Sequence, residues 1–419
     1  MAPWRFAPGE NCRSVASLGR GFATAIDAVY CQVGPGRWRL TAAPEGWMKL
    51  MLAQTLANGG NPLVMLIGSI GTQQDKGALP AVADLMHFAR DHESLYRDLT
   101  PLAPIALLYS PDSDEASRRA FRGWYSHLIA HHRLFLIVSP AQLARADAAE
   151  VLGRFKLLIA PDMAQLGEEA RKAVDGYVQG GGTLLAEHNS ALGLACTGLQ
   201  EPLVHRALGV SYFRVRQNEV ARFPSVTTTL IPCFGDYIYP GEKAGGEQLF
   251  GLIPPDAYGA PEQTVHEIET GHPGLLLGTY GKGRVATFPW TVGAVLYDTN
   301  PTPLDGLAHD LLTTLLPEAP AALNAPPWIE LTAHRQQSPG QRERLIVHLV
   351  NHSGQDGGTT RWSDPLPVNN LEVTLRPGFT PKQAHAVRLG ADLTLTPVGN
   401  GAWRITVPRV ALFELLVIE

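Results

Sequence analysis

The chain has 419 residues, 45% of them hydrophobic and 17% charged, and a formal net charge of −5. This composition is typical of a globular protein with two or three domains, and the weakly acidic balance excludes the basic surface that nucleic-acid partners require. No uncharged run approaches the ~20 residues of a membrane helix, so we expect no membrane partner. Four well-separated cysteines without a CxxC pair predict free thiols in a cytoplasmic protein. We expect no metal site and no cofactor.

Residues 1–102 predict two βα units of a partial β/α barrel. Phe22–Val33 is apolar enough for a strand, and a helix should begin at Pro44-Glu45 and end at Asn58-Gly59-Gly60. A second strand, Pro62–Ile67, precedes a helix over about Ala78–Tyr96. Catalytic and binding groups of such barrels lie at the carboxyl ends of the strands.

Those strand ends carry residue types that suit a sugar. Trp offers a stacking surface and Arg offers hydrogen bonds to hydroxyl groups, although an ordinary solvated loop explains them equally well. Asp27 is a weak candidate for a catalytic carboxylate, because it is the only one in the first strand and glycoside hydrolysis usually needs two. The candidate substrate-binding residues are Tyr30, Arg37, Trp38, Arg39 and Asp75.

Residues 103–318 predict a flavodoxin-like domain with a parallel sheet. The segment FKLLIAPDMAQLGEEARKAVDGYVQGGGTLLAEHNS, from Phe155 to Ser190, reads as a buried strand, an amphipathic helix, a glycine turn and a second buried strand. Right-handed crossovers predict the strand order 2-1-3-4-5, with Ile105–Tyr109 beside Lys156–Ala160. Gly274–Trp290 should be a hairpin that returns to the sheet, and the turn in GTYGKGR is not a phosphate loop because no Ser or Thr follows the Lys.

Polar residues at the strand ends of this domain could line a pocket or simply cap loops. A class I glutamine amidotransferase would place a nucleophilic Cys on the elbow after a central strand, whereas the elbow here reads Ala186-Glu187-His188-Asn189-Ser190. Cys196 lies several residues further on. The pocket candidates are Asp112, Asp162, Glu187, His188, Asn189 and Trp290.

Two later segments complete the chain. Residues 194–270 form a long insertion rich in Gly, Pro and aromatic residues, whose length indicates a function or an interface. After a Pro/Ala linker at Pro317–Trp328, residues 325–419 alternate apolar and polar side chains and predict a small antiparallel β-sandwich.

The order of these parts resembles the C-terminal two-thirds of family-42 β-galactosidases. The matching stretches are FKLLIAPDMAQLGEEARKAVDGYVQGGGTLLAEHNSALGL, GTYGKGRVATFPWTVGAVLYD and RVALFELLVIE. The resemblance implies the end of a catalytic barrel, then a β-galactosidase trimerisation domain of amidotransferase-like fold, then a C-terminal β-domain.

The departures from that family concern catalysis. Only about 100 residues precede the second domain, a complete barrel takes about 200 or more, and the strand where the nucleophilic glutamate should lie contains no Glu. We therefore expect a glycoside-hydrolase-related carbohydrate protein that forms a homo-oligomer, trimer or dimer, with a possible separate barrel-containing chain. The alternatives are an amidotransferase-like hydrolase using Asp162 and His188, and a non-enzymatic assembly scaffold.

Overall fold

The computed structural model describes residues 4–19, 24–28, 30–31, 38–66, 69–163, 166–199, 204–240, 246–255, 268–338, 340, 342–354 and 362–419, with backbone only between 24 and 40. The helices are α1 Ala7–Ala16, α2 Glu45–Ala57, α3 Leu79–Asp91, α4 Glu115–Ala130, α5 Pro140–Leu143, α6 Ala148–Gly153, α7 Glu168–Gln179, α8 Gln217–Val220, α9 Val292–Asp298 and α10 Thr302–Leu315. None of these described helices combines the length and apolarity needed to cross a bilayer.

The first sixteen strands are β1 Thr24–Ala28, β2 Tyr30–Cys31, β3 Trp38–Ala42, β4 Asn61–Met65, β5 Leu99–Pro101, β6 Ile105–Leu108, β7 Phe135–Val138, β8 Leu157–Ala160, β9 Thr183–Glu187, β10 Val204–Ala207, β11 Ser211–Arg214, β12 Leu230–Cys233, β13 Asp236–Tyr239, β14 Glu247–Ile253, β15 Pro273–Tyr280 and β16 Gly283–Phe288. The remaining strands are β17 Ala321–Asn324, β18 Ile329–Gln336, β19 Arg344–Asn351, β20 Val368–Leu375, β21 Ala384–Ala386, β22 Ala391–Leu393, β23 Leu395–Gly399, β24 Ala402–Val410 and β25 Phe413–Ile418.

The chain forms two compact units. The first joins Met1–Ala103, Ile129–Leu136 and Ala319–Glu419, and the second joins Pro104–Leu128 and Ile137–Glu318. The first unit thus contains both ends of the sequence. The division into domains at 1–102, 103–318 and 325–419 stays a prediction.

A nine-stranded sheet forms the framework of the second unit, in the order β12-β11-β14-β15-β16-β9-β8-β6-β7. Strand β8 pairs in parallel with β6 and with β9, and β9 pairs in parallel with β16. Numbered along the chain, β7-β6-β8-β9-β16 is the order 2-1-3-4-5. The predicted adjacency of β6 and β8, at the point where strand order reverses, is confirmed.

The predicted hairpin and the long insertion both extend this sheet. Strands β15 and β16 pair across a turn in which Gly281 has φ +58°, a conformation that favours glycine. Strands β11, β12 and β14 of the insertion add antiparallel strands beyond β15. The insertion also forms a separate two-stranded ribbon of β10 and β13.

The C-terminal strands form two antiparallel sheets that share one hydrophobic core. The sheets are β17-β20-β24-β23 and β22-β21-β25-β19-β18-β5, and each contributes buried side chains such as Val373 and Val347. The predicted linker Pro317–Trp328 contains strand β17, which pairs with β20 and buries Ala321. Treating this Pro/Ala-rich segment as a linker was therefore wrong, because a short edge strand tolerates prolines on either side.

The N-terminal segment is less regular than two plain βα units. Strand β1 pairs in parallel with β4, as βα units require, but β2 pairs antiparallel with β3. The backbone of Trp38 and Arg39 therefore lies in a strand rather than in a loop, in keeping with the preference of Trp and Thr for strands. Strand β5 joins the six-stranded sheet beside β18.

A buried ion pair connects the two ends of the sequence inside the first unit. Nη2 of Arg13 in α1 lies 2.7 Å from Oε1 of Glu330 in β18, and both side chains are almost fully enclosed, with 4% and 0% exposed. Arg13 also donates to the backbone oxygen of Phe135 at 2.9 Å and lies 4.1 Å from the centre of that ring. One guanidinium in α1 thus contacts two distant parts of the chain.

Glu330 is satisfied by further donors. Asn58, which follows α2, donates to Oε1 at 3.1 Å, and Nε2 of His352 lies 2.8 Å from Oε2. Burial alone would raise the pKa of Glu330, but the His352 hydrogen bond and the Arg13 charge lower it to about 2. The carboxylate is therefore ionised at neutral pH.

Removing the Glu330 charge should destabilise the first unit strongly. Glu330→Gln leaves the Arg13 guanidinium buried without a counter-charge, which typically costs about 3–5 kcal/mol. The matched control is Glu93→Gln, which removes a surface pair with Arg97 whose side chains are 64% and 66% exposed and should cost about 1 kcal/mol or less. Urea unfolding of both variants tests this, and equal losses would contradict it.

Candidate functional site

The candidate site lies at the carboxyl ends of β8 and β9. The two strands are parallel neighbours in register, so the residues that follow them emerge at the same edge of the sheet. Asp162 follows β8, Glu187 ends β9, and His188–Ala191 forms a 3₁₀ turn directly after it. Ligands of open α/β sheets bind beyond this edge.

Glu187 is buried and accepts three hydrogen bonds. Its Oε2 accepts from Nε1 of Trp124 at 3.0 Å and from the backbone N–H of Gly293 at 2.9 Å, and its Oε1 accepts from the backbone N–H of Asp162 at 2.6 Å. Burial raises the pKa of Glu187 to about 8, and its hydrogen-bond donors only partly oppose this. At neutral pH the carboxyl group is therefore protonated, and it ties α4, α9 and the loop after β8 together.

Two glycines let the helices approach this carboxyl. A Cβ on Gly123 of α4 would come within 1.8 Å of the Gly293 carbonyl oxygen, and a Cβ on Gly293 would come within 2.4 Å of the Ala120 oxygen. Real Cβ atoms do not make such contacts. The backbones of α4 and α9 are therefore in direct contact at these two glycines, and this close approach brings the N–H of Gly293 to Glu187.

His188 has the strained backbone of a tight elbow. Its φ is +44°, in the left-handed region that non-glycine residues rarely adopt. Nδ1 lies 3.1 Å from Oδ1 of Asp162, which also accepts the N–H of Asn189 at 3.1 Å. Nε2 is buried and has no hydrogen-bond partner among the described residues, and the ring of His205 in β10 lies 5.9 Å away. A carboxylate-oriented imidazole can accept a proton at Nε2.

The neighbouring hydroxyl and thiol groups are not set up as nucleophiles. Ser190 Oγ donates to the Pro161 carbonyl and accepts the N–H of Met163, so its hydrogen bonds order the loop. Burial raises the pKa of the Cys196 thiol, and Asp175 raises it further. A nucleophilic thiol needs a lowered pKa, so the environment of Cys196 does not activate it as a nucleophile.

The structure therefore brings together Asp162, Glu187, His188 and Asn189. Asp112 is exposed in the turn after β6. Trp290 is fully buried, donates from Nε1 to the Gly274 carbonyl at 3.0 Å, and packs 5.0 Å from the ring of Phe213. Sequence reasoning missed Trp124 and Gly293, which hold Glu187 from 63 and 106 positions away.

Among the catalytic and sugar-binding candidates of the N-terminal segment, the structure describes the side chain of Asp75 alone. Asp75 is exposed and accepts the N–H groups of Ala42 and Gly77, each at 2.9 Å, and these two bonds lower its pKa. Its contacts are those of a loop cap. Arg37 lies outside the described residues, as do the side chains of Asp27, Tyr30, Trp38 and Arg39.

No protein-family model matches the sequence, and no curated protein matches it. Solved structures do match. α-L-Fucosidase isoenzyme 2 from Paenibacillus thiaminolyticus has a TM-score of 0.77 at 20% identity over 99% of this chain and 63% of its own. The β-galactosidase from Bacillus circulans sp. alkalophilus has a TM-score of 0.64 at 14% identity over 100% of this chain and 58% of its own.

A GH42 β-galactosidase, Gan42B, matches similarly, with a TM-score of 0.66 at 12% identity over 99% of this chain and 56% of its own. The chain has a glycoside-hydrolase-like fold. It spans less than two-thirds of the length of these solved chains, and at such identities the likeness extends to the fold alone.

The raised pKa of Glu187 gives the second unit a testable pH dependence. Its folded pKa of about 8 lies above the unfolded value of about 4.3, so the folded state binds the extra proton and loses stability as the pH rises through this window. The slope reaches at most about 1.4 kcal/mol per pH unit.

Glu187→Gln should abolish that slope and also destabilise the protein, because the new NH₂ group cannot accept all the N–H donors. Urea unfolding at pH 5, 6, 7 and 8 measures both effects. The exposed variant Glu169→Gln is the control and should keep the wild-type slope. Parallel curves for wild type and Glu187→Gln would show that Glu187 does not carry the proton.

Proposed function

We propose that this chain is a glycoside-hydrolase-related protein that binds carbohydrate and assembles as a homo-oligomer. In this proposal the second unit is a flavodoxin-like domain of the β-galactosidase trimerisation type. Residues 325–419 are the C-terminal β-domain of the chain. The observation that carries the proposal is the fold match over 99% of the chain to a fucosidase, with the β-galactosidases matching as fully. The free thiols of Cys12, Cys196 and Cys233 support a cytoplasmic location.

The carboxyl groups favour binding over hydrolysis. Among the described residues, the buried acids accept hydrogen bonds that order nearby backbone or side chains, and these acids are Asp162, Glu187, Glu219, Asp310, Glu330 and Glu414. In the paired strands of the N-terminal segment, the register partner of Asp27 is Val64. Glycoside hydrolysis needs two carboxyl groups about 5–10 Å apart.

The amidotransferase-like alternative has one supporting observation, the strained His188, whose Nε2 has no partner in the part of the chain that the structure describes. It is the weaker candidate because the nearby Ser190 hydroxyl and Cys196 thiol are engaged or poorly ionised.

Binding and hydrolysis are tested on the same preparation. Calorimetric titration with fucose, galactose, glucose and mannose should show binding of at least one sugar, and Trp38→Ala should weaken it by removing a stacking surface. Trp328→Ala, at a 39% exposed tryptophan, is the control and should bind like wild type. With nitrophenyl glycosides of the same sugars, both wild type and Asp27→Asn should stay at background. Robust turnover lost in Asp27→Asn would contradict the proposal.

Self-association should bury the open face of β4. Leu63 and Met65 in this strand are 49% and 39% exposed, and β4 pairs only with β1 among the described strands. Exposed apolar side chains beside an unpaired edge favour contact with a second copy of the chain. The mass in solution should therefore be a multiple of 45.3 kDa, with a trimer or dimer expected.

Light scattering after size exclusion measures this mass. Leu63→Lys combined with Met65→Lys should yield monomers, whereas Leu389→Lys, at a leucine with 39% exposure elsewhere in the first unit, should not. A wild-type monomer at micromolar concentration would refute homo-oligomerisation. A wild-type oligomer that lacks sugar binding would favour the scaffold alternative.

A further inference from the structure

A cavity lies on the outer face of the six-stranded sheet in the first unit. Phe88 of α3, Leu95 of the 3₁₀ turn Glu93–Leu95, and Tyr96 directly after that turn cover part of this face by packing on the cluster of Leu415 and Val417. Where that cover ends, a cavity of about 310 Å³ opens beside β21 and β25. Its size is at the lower end of the range for ligand pockets, about 300–1,000 Å³.

The strand register builds the cavity wall. Strands β22, β21 and β25 are neighbours, and Asp392, His385 and Val417 stand in one row across them. Asp392 Oδ1 lies 2.8 Å from Nδ1 of His385. A carboxylate in this position holds the proton on Nδ1, fixes the ring, and leaves Nε2 as a hydrogen-bond acceptor.

The rest of the lining is part apolar and part polar. Leu95, Val387 and Val417 form an aliphatic patch, and His92, Gln383 and Glu419 add polar groups. The Glu419 carboxylate is paired with Arg344 at 3.0 Å. Arg344 in turn donates to Gln336, which fixes the guanidinium.

We propose that this cavity is a binding site for a single neutral sugar ring. The patch of Leu95, Val387 and Val417 matches the C–H face of a sugar, and His385, Gln383 and Glu419 match its hydroxyl groups, which both donate and accept. Because the carboxylate already has a cationic partner, the cavity favours a neutral ligand over an ion. This inference rests on the proposed carbohydrate function and adds a site separate from Trp38.

The test isolates the cavity in a Trp38→Ala background. Calorimetric titration with fucose, galactose, glucose and mannose should leave a binding phase in Trp38→Ala. Adding Val417→Trp, which fills the cavity, or His385→Ala, which removes the acceptor, should weaken that phase at least tenfold. Adding Val398→Trp, at a 41% exposed site on β23, should not. Circular dichroism checks that each variant folds. If Val417→Trp does not fold, His385→Ala still tests the site, because His385 is partly exposed and its truncation leaves the core unchanged.

The outcomes separate this inference from the function it rests on. Sugar binding in wild type that vanishes in Trp38→Ala, or that persists unchanged in both cavity variants, overturns the cavity site and leaves carbohydrate binding standing. Failure of the wild type to bind any of the four sugars overturns both. Loss of the binding phase that remains in Trp38→Ala, seen with both cavity variants and not with Val398→Trp, establishes the site.

Discussion

The first unit depends on a charge that could not be buried alone. Removing a guanidinium and a carboxylate from water costs several kcal/mol per ion, and only close pairing with additional hydrogen bonds compensates. Arg13 and Glu330 meet this condition because Asn58, His352 and the Phe135 carbonyl supply or accept the remaining bonds. Each partner comes from a different part of the chain, so α1, the end of α2, Phe135 and β18 have to be in place together within the first unit.

This constraint explains why the N-terminal segment and the C-terminal strands form one compact unit. Strand β5 completes the six-stranded sheet, and α2 and α3 share a hydrophobic cluster with Val350 and Phe413. The same arrangement creates the outer sheet face on which the His385 cavity lies. The proposed sugar site would therefore depend on His92 and Leu95 of the N-terminal segment as well as on the lining residues between 383 and 419.

Local pattern was enough for the central helices and buried strands, but not for short edge strands or for distant side-chain partners. The stripe of Ala170, Val174 and Val178 predicted α7, and the apolar runs at β6, β8 and β9 predicted buried parallel strands in the correct order. Strand β17 and the strands of the insertion were not predicted. Short edge strands lack a clear alternation of apolar and polar residues and gain their stability from the strand they pair with. The arginine in α1 likewise has no local signal for a partner 317 residues away.

The candidate site shows the same limit in chemical terms. Parallel strands bring residues at their carboxyl ends together, so the sequence could place Asp162, Glu187 and His188 in one cluster. It could not predict that burial would raise the pKa of Glu187 to about 8 against the hydrogen bonds that the carboxyl group accepts from Trp124 and Gly293. A buried acid whose oxygens already accept N–H groups cannot also reach a leaving group. In the proposed function, the hydroxyl groups of a sugar would instead meet partly exposed side chains, which can still form hydrogen bonds.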